Sequence, residues 1–237
     1  MSTWAAKRFW KSTSVVEVED GFTVHLDSRA VRTPAKNPLI VPTGAMAEAI
    51  AIEWDVQEGK IDPRTMPVTR SSNAAIDKVR AQRDEVASLI ADYGDSDLLC
   101  YRAPSPKELR ARQDAAWDPI LNWATAHLGV DLHVVDGIIH KPQSTHDRSR
   151  MHAAVVELTD FELTAFHDLV SMSGSLLIGF AVLREHLPIE KAWICSRVDE
   201  SWQEEHWGED EEASNTSELK RAAFYHAKRF LDLLKTT

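Results

Sequence analysis

Cysteine is scarce in this chain. Cys100 and Cys195 are the only two among 237 residues, and they lie far apart without metal-type spacing. That leaves at most one disulfide and fits a reducing compartment. No Gly-rich phosphate loop of either common type is present, and no Gly-x-Ser-x-Gly elbow, so nucleotide-binding and serine-hydrolase folds lose their usual signatures. Positive charge is in deficit, with 27 Lys and Arg against 37 Asp and Glu for a formal charge of −10. Nucleic acid and anionic membranes reward the opposite balance and are not expected as main partners. The opening MSTWAAKRFWKS lacks the apolar run and cleavage site of a secretory signal, and a mitochondrial presequence would be longer and richer in Arg and Ser. The chain reads as starting almost at its folded part, in a bacterial cytoplasm, or in the mitochondrial matrix if eukaryotic. Internal repeats and low-complexity tracts are also missing.

What is present is a real core, with 43% hydrophobic residues. Its most apolar stretch is Phe161 to His186. Leu163, Phe166, Leu169, Val170, Leu176, Leu177, Phe180, Ala181 and Leu183 recur there at three- and four-residue steps, which predicts one helix buried nearly all round. Ser171, Gly174 and Ser175 form a small-residue strip where another backbone could approach. Thr159 and Glu162 make a capping box, and Pro188 follows the end. A membrane span needs about 20 mostly apolar residues. Glu162, His167 and Asp168 interrupt one end and Arg184, Glu185 and His186 close the other, so a core helix is the better reading.

Around this stretch the chain divides in two. Residues 13–42 are β-rich: Val15, Val16 and Val18 form one run. Phe22, Val24 and Leu26 alternate with polar neighbours after a Glu19-Asp20-Gly21 turn signal. Further short strands are expected at Val31 to Thr33 and Pro38 to Pro42. Thr43 caps a helix running to about Glu58, with Gly59 as its stop. Pro63 and Pro67 mark a rigid joint, and the boundary is placed there, giving a β-rich domain over 1–65 and a helical domain over 66–237. A long helix is predicted from Val68 to Tyr93. Another should start at Ser105-Pro106-Lys107-Glu108, read as a capping box, and end at Gly129. One of about a dozen residues should precede the central one. A helix carrying Ile194, Val198 and Trp202 should stop at Gly208. A last one runs from about Asp210 to Leu234, with Leu219, Ala223, Ala227 and Phe230 inward. The fold class is α+β, a small antiparallel unit followed by a larger all-helical bundle.

Candidate chemistry is thin. His133, His140, His146 and His152 fall in one region without the spacing of a zinc site. Asp27 with Arg29, or Asp62 with Arg64 and Arg70 at the joint, could form a small acid/base pocket, but turn and capping roles explain them equally well. Ser173 and Ser175 lie inside the apolar helix without an adjacent base. No cofactor or metal is expected, and nothing specifies a reaction. The acidic run is different. Residues 199–212 read DESWQEEHWGEDEE, without Lys or Arg. Trp is unusually common, eight against three Tyr, and Trp202 and Trp207 are interleaved with these carboxylates. Aromatic anchors in an acidic rim suit a basic, partly apolar protein partner, while a solvated face is the plainer alternative. The candidate partner-binding residues are Trp202, Glu205, Trp207, Asp210, Glu211 and Glu212.

Several motifs in order resemble one known family: Lys7-Arg8-Phe9-Trp10-Lys11, Gly21-Phe22, Leu26-Asp27, Arg29 and Thr33-Pro34, then Glu53-Trp54, Ile61-Asp62-Pro63, Met66-Pro67 and Thr69-Arg70. Asp97 to Arg102, Gln113, Trp117-Asp118-Pro119 and Trp207-Gly208 continue the match. Together these are similar to the ATP synthase F1 assembly chaperones that act on the alpha subunit, known from mitochondria and some bacteria. The resemblance implies a β-rich N-terminal domain, a helical C-terminal domain and no catalysis. It implies binding of the unassembled F1 alpha subunit, whose beta-contacting surface is shielded until beta arrives. It also implies an important acidic position shortly after the Trp-Gly pair, aligned with Glu211, with Glu212 as the neighbouring alternative. Separately, the free protein is expected to be a monomer. The alternatives from the residues themselves are a small-molecule enzyme at the joint and an adaptor for another basic protein.

Overall fold

The computed structural model describes residues 7–235, and the fold is α+β. Contacts gather into two compact units. The first holds residues 7–83, 159–165 and 229–235 of those described, and the second holds 84–158 and 166–228.

In the first unit, β1 (Thr13–Val18) and β2 (Gly21–Leu26) form an antiparallel hairpin, from Thr13 opposite Leu26 to Val18 opposite Gly21. Gly21 has φ +138°, and a Cβ there would strike the Val41 carbonyl, so the turn needs glycine. β3 (Arg29–Ala30) pairs with the other side of β2. The expected strands at 31–33 and 38–42 make only single bridges, Arg32 to Pro38 and Phe22 to Val41. Pro34, Pro38 and Pro42 remove the donors a longer ladder would need. Helix α1 (Gly44–Asp55) packs on β1 and β2 and buries Met46 and Ile50 completely. Thr43 caps it, its Oγ1 accepting from the Met46 N–H at 3.2 Å. The helix stops at Asp55, short of the expected Glu58. Gln57 leaves it to bond the Asp62 N–H at 2.8 Å and the Thr65 hydroxyl at 2.9 Å.

The predicted long helix from Val68 is several pieces: α2 (Pro67–Ala74), a π-turn (Ala75–Val79), a 3₁₀ turn (Arg80–Gln82) and α3 (Arg83–Ala91). The π-turn carries Asp77, whose carboxylate accepts from the Thr33 hydroxyl, the Ala35 N–H and the Asn37 amide at 2.7–3.0 Å. A π-turn re-aims side chains, a gain no apolar stripe records. Asp160 pairs with Arg80 at 3.0 Å and Arg83 at 2.8 Å, and Phe161 stacks on Phe230.

The second unit is mostly helical. β4 (Tyr101–Arg102) pairs in parallel with β5 (Val135–Asp136). Between them runs α4 (Lys107–Leu128), closed by Gly129 at φ +64°. The expected capping box at its start does not form: Pro106 occupies the N-cap itself and no side chain accepts there. Then come α5 (Thr145–Val156), α6 (Asp160–Ser173), α7 (Leu176–Leu183), α8 (Ile189–Ser196), α9 (Val198–Trp207) and α10 (Glu211–Lys235).

The single helix predicted over 161–186 is two, α6 and α7, broken at Gly174 with φ +71°. The Gly174 carbonyl takes the Leu98 N–H at 3.1 Å, and Ser175 restarts the helix by accepting from the Ile178 N–H at 3.0 Å. The small-residue strip therefore admits another backbone, that of Leu98. Residues 176–182 are all buried, and α7 packs on α4 and α8. The capping box of Thr159 and Glu162 forms in both directions, at 2.8 and 3.2 Å. The helix predicted after Pro188 also divides, at Arg197. Trp193, not Ile194, is then buried, and Ile194 is 66% exposed. Leu219, expected inward on α10, is 75% exposed, while Ala227 and Phe230 are buried as expected.

Candidate functional site

All six candidate partner-binding residues lie on α9, on the two residues after Gly208, or on the first turn of α10. Gly208 ends α9 at φ +88°, a conformation that favours glycine. Just before it, Trp207 is 78% exposed. One turn earlier Trp202 is half-buried, stacked on His206 at 4.1 Å and covered by the Arg112 guanidinium at 4.9 Å from its ring. Arg112, on α4, also grips Glu205 with two hydrogen bonds of 2.6 and 2.9 Å. That pairing holds the Glu205 carboxyl below the usual carboxylate range. Trp202 and Glu205 are thus engaged by Arg112, and Trp207 is the open aromatic side chain of the pair.

The carboxylates that follow differ in their surroundings. Asp210 caps α10, its Oδ1 accepting from the Ala213 N–H at 2.8 Å. Glu211 and Glu212 are exposed in the first turn, where negative charge meets the positive end of the helix dipole. Glu212 and Asp210 line a groove of about 350 Å³ that also holds Arg197 and Lys220. Glu211 does not line that groove.

Other candidates disperse into structural roles. Asp27 sits at φ +55° in a turn, where its Oδ1 accepts the N–H groups of Lys11 and Ser12 at 3.0 Å each; those bonds lower its pKa. Asp62 caps a 3₁₀ turn and pairs with Arg64 at 2.8 Å, and the hydrogen bonds from Arg64 hold its carboxyl down at about 2. Arg70 is exposed. Ser173 donates to the Leu169 carbonyl at 2.6 Å. His133, His140, His146 and His152 are all exposed. Among the described residues no three His, Cys, Asp or Glu side chains converge to hold a metal ion, and no helix is long and apolar enough to cross a membrane.

Sequence reasoning missed Arg112, for which spacing gave no signal, and the exposed pair Ile138 and Ile139 after β5, 91% and 83% exposed. Their only trace is two β-branched residues after an Asp-Gly turn. It also left the motif residues without roles. Glu53 accepts from the Val68 and Thr69 N–H groups at 2.7 and 2.8 Å, capping α2 across the joint. Arg102, fully buried, pairs with Asp118 at 2.8 Å and lies over Trp117 at 5.0 Å. Trp117 donates to the Cys195 carbonyl at 2.7 Å, and Gln113 bonds both the Ala103 N–H and Asp199.

The chain as a whole is similar to known proteins. A family model described as ATP12 chaperone protein matches residues 7–125. Protein atp12, mitochondrial, of Schizosaccharomyces pombe is 28% identical over 221 residues, covering 87% of this chain and 75% of that protein. Among solved structures, Atp12 from Paracoccus denitrificans matches with a TM-score of 0.94 and 44% identity, over 97% of this chain and 98% of that one. An Asp-to-Lys mutant of the same Paracoccus protein gives the same TM-score, identity and coverage.

Proposed function

The chain belongs to the ATP12 chaperone family, and on that premise we propose that it assists assembly of the F1 sector of ATP synthase. It binds the unassembled alpha subunit and shields the surface that later meets beta. A chaperone of this kind acts by binding, not by making bonds. It works in the bacterial cytoplasm, or in the mitochondrial matrix were the source eukaryotic. An alpha subunit awaiting its partner exposes an apolar interface prone to aggregation. A complementary face needs an apolar anchor, a selecting charge and a means of release, and arrival of the beta subunit supplies release by competition.

The observation that carries this reading is Trp207, 78% exposed and followed by the carboxylates of residues 209–212. A large indole left in water at a helix end adds little to the fold, whereas Trp is prominent among interface anchors. The selecting charge is assigned to Glu211, which is exposed in the first turn of α10 and does not line the neighbouring groove. Isolated F1 alpha titrated into the purified protein tests both. Trp207→Ala should weaken the complex by about thirtyfold, the scale of one anchor residue. Glu211→Lys should weaken it in the same direction, with the helical circular-dichroism signal of both variants unchanged. Full affinity in both variants would remove α9 and α10 from the proposed contact.

A further inference from the structure

Among the described residues β1 is the outer strand of its sheet, and its one charged side chain is the exposed Glu17. Its six residues pair one-to-one with β2 without a bulge, and TSVVEV contains neither Pro nor Lys. Natural edges are usually blunted by such devices or covered. Among the described residues β2 is the only strand paired with it, and no backbone hydrogen bond from elsewhere reaches residues 13–18.

The register shows which groups this edge offers. The Asp27 N–H donates to the Ser12 carbonyl at 2.9 Å, so Ser12 and Asp27 are a hydrogen-bonded pair. Alternation along an antiparallel ladder then turns Ser14, Val16 and Val18 toward β2 and leaves the N–H and C=O of Thr13, Val15 and Glu17 facing outward. The far side of β2 agrees. Val24 and Phe22, opposite Val15 and Glu17, bond away from β1, to Val31 and Val41 respectively.

Beside this edge lies a groove of about 350 Å³, with Thr13 and Val15 on the strand side and Glu48, Ile52, Asp55 and Val56 on the α1 side. Ile52 and Val56, one helical turn apart, are 64% and 63% exposed. Among the described residues no Lys or Arg lines it. Arg8 reaches Asp55 at 3.4 Å but leaves that side chain 56% exposed. An open edge strand beside a helix with an apolar floor is the geometry of β-strand addition.

We infer that this groove binds an extended segment of another protein, added antiparallel or parallel to β1. Its backbone bonds the outward groups of Thr13, Val15 and Glu17. Alternate branched apolar side chains cover Ile52 and Val56, and a flanking Lys or Arg meets Glu48 or Asp55. A basic segment complements the acidic rim, whereas a second copy of this chain would bring its own Glu48 and Asp55 against it.

The test titrates full-length protein into a fluorescein-labelled Lys-Val-Thr-Val-Thr-Val-Lys peptide and follows anisotropy. Saturable binding is expected, at least tenfold weaker when Glu replaces both Lys of the peptide. Val15→Pro removes an outward N–H that the β2 ladder does not use, so it should cut affinity at least tenfold while circular dichroism stays unchanged. Ile52→Ser, at an exposed floor position, should do the same, and it keeps the test decisive if the proline unfolds the sheet. Trp207→Ala should leave peptide binding intact, so this site and the α9 surface stand or fall separately. Absence of saturable binding overturns the proposal, as does equal affinity in Ile52→Ser. Self-association abolished by Val15→Pro without peptide binding also overturns it and assigns the edge to a second copy.

Discussion

Asp97 is the residue on which the second unit closes. It is wholly buried, and its carboxylate accepts from the N–H groups of Leu99 and Leu177 at 3.0 Å each. Burial still outweighs those bonds and pushes its pKa up to about 6 from an ordinary 3.8. A folded-state pKa above the unfolded one means the folded form holds the proton more tightly. The associated stability is therefore full below about pH 4 and is lost as pH rises through about 6. Two pKa units are worth about 3 kcal/mol. Asp97→Asn cannot titrate. The stability of the wild type relative to this variant, from urea unfolding at stepped pH, should fall between pH 4 and 7, and parallel curves would contradict the assignment. At this scale the sequence showed which residue types matter but not what they do. Glu53, Asp97, Arg102 and Gln113 stood out in the motifs, yet their partners lie 15, 80, 16 and 86 positions away at Val68, Leu177, Asp118 and Asp199. Composition and local spacing carry no trace of such separations.

At the scale of elements, periodicity located the helices and misjudged their continuity. Residues 161–183 are helical and buried where the apolar repeat requires, but Gly174 splits them because its left-handed φ lets Leu98 pair with the exposed carbonyl. A Cβ at Gly174 would meet only the Leu98 Cβ at 3.9 Å, an ordinary contact. Gly174→Ala should thus cost only the conformational strain, about 1–2 kcal/mol, measured as a lowered denaturation midpoint with unchanged m-value. A neutral result would mean the break tolerates any residue. The breaks at 75–82 were invisible to an apolar stripe, because π and 3₁₀ turns shift the face by only one residue, and the one at Arg197 has no glycine or proline to mark it. The hairpin of β1 and β2 and the caps at Thr43 and Thr159 were legible, since turn and cap chemistry is written in adjacent residues.

At the scale of the whole molecule, a formal charge of −10 keeps a chaperone soluble and draws basic surfaces toward it. The α+β class was readable from the change of hydrophobic period near residue 43. The candidate surface was readable as composition, an acidic run with two tryptophans, but not as geometry. Arg112 covers one tryptophan and leaves the other open, and only the fold brings α4 beside α9. The measurement that bears most directly on the proposed role is light scattering of isolated F1 alpha, diluted from denaturant with increasing amounts of this protein. Suppression that saturates at a stoichiometric ratio without nucleotide, and is relieved when F1 beta is added, is the predicted result. Scattering unchanged at several-fold excess of the folded protein would contradict it.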